Sequence, residues 1–127
     1  MKELTRAEEQ VMEYLWKRKK GYLREILEMY PDPKPAPTTV STIIRILEQK
    51  GFVGYNAHGR NNQYYHLISR SEYSLACFKG VVKKHFSGSY QKLVSNFVSE
   101  KDLSLTELEE LKRTIEEAIK NREGSND

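Results

Sequence analysis

Apolar residues recur along this chain at helical spacing in some stretches and in alternation in others, with proline and glycine separating them. Leu4, Ala7, Val11, Met12, Tyr14 and Leu15 follow the helical spacing as far as Trp16. Thr5-Arg-Ala-Glu8 is a capping box, in which the hydroxyl and the carboxylate each satisfy an orphan N–H at the helix start. The basic run Lys17-Arg-Lys-Lys20 and then Gly21 are expected to close this first helix, since the dipole favours cations in a last turn and glycine suits the position just beyond. A second, shorter helix is predicted from about Tyr22 to Tyr30, burying Leu23, Ile26 and Leu27. Pro31, Pro33 and Pro35 exclude helix after it, whereas Pro37 suits the first turn of a third helix, where its missing N–H costs nothing.

That third helix lies in PTTVSTIIRILEQKGFV, residues 37–53, and ends near Lys50-Gly51. At about 100° per residue, Val40, Ile43, Ile44 and Leu47 share one arc, and Thr38, Ser41, Thr42, Arg45 and Gln49 share the opposite one. A merely solvated face usually carries Glu and Lys pairs. Here it carries short hydroxyls, one arginine and one amide. FVGYNA and QYYHL then alternate as two strands around the turn HGRNN. Three short helices followed by a two-stranded hairpin make a winged helix-turn-helix.

Ser69-Arg-Ser-Glu72 is a second capping box and opens a fourth helix to about Phe86. Ser87-Gly88-Ser89 interrupts it, and a short helix from Tyr90 to about Ser99 groups Leu93, Val94, Phe97 and Val98. Ser104-Leu-Thr-Glu107, a third capping box, opens a last helix whose Leu108, Leu111, Ile115 and Ile119 form a roughly heptad-like seam. The expected class is therefore mainly α with a small β-hairpin. Residues 1–70 form the winged helix, 71–123 a helical dimerisation region, and 124–127 a disordered tail. The later helices cannot build a large core alone, so a second copy is expected to cover Leu93, Phe97, Leu108, Leu111, Ile115 and Ile119. A two-fold dimer would also match the symmetry of a palindromic duplex site.

Composition narrows the function classes. The 127 residues are 38% hydrophobic and 31% charged and contain no apolar run long enough to span a membrane. MKELTRAEEQ has no apolar segment of the kind a secretory signal carries, so none is expected. One cysteine, Cys77, excludes an internal disulfide framework and fits a reducing cytoplasm; among Tyr73, Ala76, Phe78 and Val81 it is expected to be a buried structural thiol. His58, His66 and His85 lack metal-ligand spacing and no phosphate-binding glycine loop occurs, so no enzyme, cofactor or metal is expected.

The net charge of +3 is unevenly spread. Residues 34–70 hold five bases, Lys34, Arg45, Lys50, Arg60 and Arg70, against one acid, Glu48, a net of +4. Residues 71–127 hold nine bases against ten acids, a net of −1. A polyanion would meet only the first region. A major groove accepts an α-helix; Arg can bind guanine bidentately, Gln can read adenine, and small hydroxyls allow close approach. Thr38, Ser41, Thr42 and Arg45 are the groove-facing candidates, with Thr39 at the flank and Arg60 as a wing contact to phosphate or minor groove. Tyr55, Tyr64 and Tyr65 are read as strand formers packing on the helices, not as base-stacking groups. The competing reading is a winged-helix protein-interaction module with an incidental basic face, which would show no steep salt dependence.

LTRAEEQVMEYLW at 4–16, PTTVSTIIRILEQKGFV at 37–53, GRNNQYYHLISRSEY at 59–73 and KLVSNFVSEKDLSLTELEEL at 92–111 together resemble the penicillinase-repressor family of BlaI/MecI/CopY type, in family order. The resemblance implies a homodimeric repressor with an N-terminal winged helix, binding an inverted-repeat double-stranded operator at β-lactam-resistance genes. It also implies inactivation by a membrane-bound sensor metalloprotease that cuts between Asn and Phe, a dipeptide matched by Asn96-Phe97. Two departures stand out. The proline-rich PDPKPAPT replaces an aromatic-containing lead-in to the third helix, and the cysteine pairs of copper-responsive members are missing.

Overall fold

The computed structural model describes residues 1–100 and 102–125. In chain order the elements are α1 (Arg6–Arg18), β1 (Lys20–Tyr22), α2 (Leu23–Met29), α3 (Pro37–Gln49), β2 (Val53–His58), β3 (Asn61–His66), α4 (Arg70–His85), α5 (Tyr90–Val98) and α6 (Leu105–Ser125). The chain divides into two compact units, Met1–Phe78 and Lys79–Asp127.

All three capping boxes form. Thr5 Oγ1 accepts from the Glu8 N–H at 3.2 Å while Glu8 Oε1 accepts from the Thr5 N–H. Ser69 with Glu72 and Ser104 with Glu107 repeat the exchange. Pro37 occupies the first turn of α3. At the other end the Phe52 N–H reaches the Leu47 carbonyl and the Gly51 N–H reaches that of Glu48. This paired closure needs a left-handed residue just past the cap, and Gly51 supplies it with φ 83°.

The core of the first unit joins Val11, Met12 and Leu15 of α1, Ile26 of α2, and Val40, Ile44 and Leu47 of α3 to Phe52, Val53 and Tyr73. Tyr73 explains why this unit extends beyond residue 70. Its ring lies 5.7 Å from that of Phe52 and 5.9 Å from that of Trp16, so the first turns of α4 complete the winged-helix core. Trp16 Nε1 donates to the Ile68 carbonyl at 2.9 Å, and the Arg70 guanidinium sits over the Trp16 ring while pairing with Glu13.

The structure departs from the sequence-based expectations at several places. The sheet has three antiparallel strands in the order β1-β3-β2, not two. Gly21 is therefore a strand residue opposite Tyr64, and Lys19, with φ 75°, turns the chain at the end of α1. Three residues are too few to show alternation, which hid β1. A side chain at Gly21 would meet Arg18 Nε at 3.2 Å and Ile26 Cγ1 at 3.4 Å, so a larger residue there would have to displace the Arg18 side chain by a few tenths of an ångström. In the wing only Gly59 and Arg60 make the turn; His58 pairs with Asn61 and Ala57 with Asn62 inside the ladder.

Burial differs too. Ala7 is exposed and Glu8 is buried in its place, because Lys50 neutralises the carboxylate. Cys77 is exposed rather than a core thiol, and Tyr73 occupies the buried side of α4 instead. Of the wing tyrosines, Tyr64 packs partly on the core, whereas Tyr55 is 48% exposed. Gly124 and Ser125 continue α6 and do not begin a disordered tail; Asn126 and Asp127 lie outside the described residues.

In the second unit Val82 is buried, and Leu93, Phe97 and Leu108 are half-buried. Val94, Val98, Leu111, Ile115 and Ile119 are exposed. No helix among the described residues is long and apolar enough to cross a membrane.

Candidate nucleic-acid interface

Burying Val40, Ile44 and Leu47 fixes which way α3 faces. Thr38, Thr39, Thr42 and Arg45 are exposed as a consequence, with Gln49 beyond them, and Ser41 is half-buried. Thr42 Oγ1 donates to the Thr38 carbonyl at 3.0 Å. Its hydrogen is thereby used within the helix, and its methyl group and acceptor lone pairs remain for outside contact.

The basic excess of residues 34–70 resolves into two classes. Lys34 Nζ caps α2 by donating to the carbonyls of Tyr30 and Glu28. Lys50 Nζ pairs with Glu8 at 2.6 Å, and Arg70 pairs with Glu13 at 2.6 Å. Arg45 and Arg60 form no hydrogen bond or ion pair with any described residue. Within residues 34–70 the fold thus engages Lys34, Lys50 and Arg70 in hydrogen bonds or ion pairs and leaves without either the two cations placed on the outer face of α3 and at the tip of the wing.

Between α2, α3 and the wing lies a cleft of about 760 Å³. The wing contributes His58, Arg60, Asn61, Asn62 and Tyr64; α3 contributes Ser41. The third side comes from Tyr22, Leu23 and Arg24, which sequence reasoning missed as site residues. A single arginine on a seven-residue helix carries no signature until the fold brings it beside the wing. The Tyr22 ring meets that of His58 edge-on at 6.1 Å, holding the wing against the start of α2. No carboxylate lines the cleft among the described residues.

The other expected site residues lie in the second unit. Asn96 and Phe97 occupy the last turn of α5. There the Asn96 carbonyl, part of the Asn96–Phe97 peptide bond, accepts from Ser99 Oγ at 2.9 Å, and the Phe97 carbonyl accepts from the Glu100 N–H. Leu111, Ile115 and Ile119 share the outward stripe of α6, while Leu108 above them is half-buried. Among the described residues no group of three or more His, Cys, Asp or Glu could hold a metal ion.

The family model described as penicillinase repressor matches residues 4–117. The chain belongs to the penicillinase-repressor family. Its members are transcriptional repressors and not enzymes. The methicillin resistance regulatory protein MecI of Staphylococcus aureus (strain N315) is 33% identical over 114 residues, 89% of this chain and 93% of that protein. The penicillinase repressor of Bacillus licheniformis is 28% identical over 116 residues, 91% of each chain. Among solved structures, the DNA binding domain of the repressor BlaI superposes with a TM-score of 0.50 at 28% identity, covering 57% of this chain and 94% of that one. The winged-helix architecture of this chain is thus shared with a solved member of the same family.

Proposed function

We propose that this chain binds duplex DNA as a homodimer, holds an inverted-repeat operator upstream of β-lactam-resistance genes, and is inactivated by proteolysis between Asn96 and Phe97. One observation carries the DNA reading. The exposed face of α3 presents Thr38, Thr42 and Arg45, and the two cations left unpaired in residues 34–70 are Arg45 and Arg60. The DNA binding domain of BlaI and the resistance regulator MecI support both the ligand and the kind of gene controlled. In this reading Arg45, with Thr38, Ser41 and Thr42, faces base edges, Thr39 and Arg60 meet the backbone, and the apolar stripe of α6 joins two copies.

The placement of Asn96-Phe97 supports the proteolytic step. A protease needs an extended substrate, and the last turn of a helix opens at less cost than its middle. Cutting there would separate α6 from the DNA-binding unit and remove the avidity of a two-half-site complex. A membrane-bound sensor metalloprotease is the proposed partner.

Selection from a random duplex pool tests the central claim. The pool should converge on an inverted repeat, with affinity falling steeply as salt rises. A pool with no consensus and a flat salt profile would sink it.

A further inference from the structure

The cleft beside α3 contains a cation that the proposed recognition face does not use. Arg24 is exposed and pairs with no described residue. The acid next to it in sequence, Glu25, is already engaged. Its Oε1 accepts from the Tyr22 N–H at 2.9 Å and its Oε2 pairs with Arg18 at 2.7 Å. Arg24 therefore stands uncompensated, and it lines the same cleft as Arg60 although the two come from different elements. Asn61, Asn62 and Ser41 add neutral hydrogen-bonding groups, and no acid opposes them.

Two guanidinium groups with amide and hydroxyl neighbours suit a chain of phosphodiesters, which guanidinium binds bidentately. A helix lying in a major groove is flanked by the sugar-phosphate backbone, and this cleft borders α3 through Ser41. We infer that the cleft seats one strand of duplex backbone, with Arg24 and Arg60 each neutralising a phosphate while Arg45 faces the groove. The inference rests on the DNA reading above and adds α2 to the interface.

Fluorescence anisotropy of the full chain, on the selected inverted repeat and on random duplex across a salt series, tests it. A dimer carries each residue twice, so R24A and R60A should each reduce the slope of log K against log salt by about 1.8, and R24A/R60A by about twice that. The loss should be the same on both duplexes, R24K should keep the slope, and the melting temperature of R24A should match wild type. A wild-type slope for R24A beside a reduced one for R60A would overturn the clamp and leave the DNA reading standing. Thermal protection by inorganic phosphate but not by duplex would assign the cleft to a free anion and overturn it as well. A wild-type chain without salt-dependent duplex binding would overturn both readings.

Discussion

Lys50 Nζ lies 2.6 Å from Glu8 Oε1, joining the residue that caps the end of α3 to the first turn of α1. Lys50 also donates to the Glu3 carbonyl, and the same carboxyl oxygen of Glu8 closes the capping box with Thr5. One buried carboxylate therefore serves helix initiation and helix-helix docking together, and it holds the end of the candidate recognition helix in place.

Removing one partner leaves the other partly buried and unpaired. Lys50→Met should destabilise the chain by about 1–3 kcal/mol, and Lys50→Met with Glu8→Gln should recover part of that loss. Chemical denaturation of the two variants checks both values. A double variant no more stable than the single one would mean that Glu8 carries no penalty of its own.

Burial pushes the Glu8 carboxyl up, but hydrogen bonds from Lys50 and Thr5 and the Lys50 charge outweigh it and hold the group below the usual carboxylate range. Its folded-state value is thus depressed relative to the unfolded chain. The stabilisation is fully present above the unfolded carboxylate range and is lost as pH falls through the folded value. The stability difference between wild type and Glu8→Gln should accordingly narrow on acidification. A difference independent of pH would show that the effect is packing and not ionisation.

Arg45→Ala should weaken inverted-repeat binding by about 1–3 kcal/mol and relax preference at one base position if Arg45 reads a base. Competition among duplexes substituted position by position measures this. Equal loss on random duplex would make Arg45 a phosphate contact, as expected of Arg60.

A chain ending at Phe78 should fold as a cooperative monomer that binds the inverted repeat poorly. One ending at residue 70 should be less stable by about 3–5 kcal/mol, the range for losing a large buried aromatic, since it lacks Tyr73. In the full chain, Leu111→Asp should raise the dimer dissociation constant by at least about tenfold, because a dimer contact would bury the charge. Sedimentation decides the matter: a wild-type monomer at micromolar concentration would rule out the α6 seam as an interface.

Chain recovered from induced cells should include a fragment ending at Asn96, and Asn96→Ala with Phe97→Ala should stay intact and repress permanently. Mass spectrometry reads the first outcome and reporter expression the second. An intact wild-type chain after full induction would exclude this route.

The sequence by itself determined the local elements and the outward face of α3. Each capping box is an exchange between residues three apart, the apolar stripe of α3 repeats within a turn or two, and proline and glycine act on their own backbone. Signals of that range are complete in a short window. Tertiary structure decided everything that depends on a distant partner. The strand at Gly21 exists because Tyr64 lies opposite, Glu8 can be buried because Lys50 arrives from 42 residues away, and Arg70 is neutralised by Glu13 from 57. Which cations are left over for a polyanion follows only after those pairs form, so Arg24 emerged with the fold while Arg45 and Arg60 were already legible. Periodicity records which side of an element is apolar, but the pairing of one charge with another is set by the path of the whole chain.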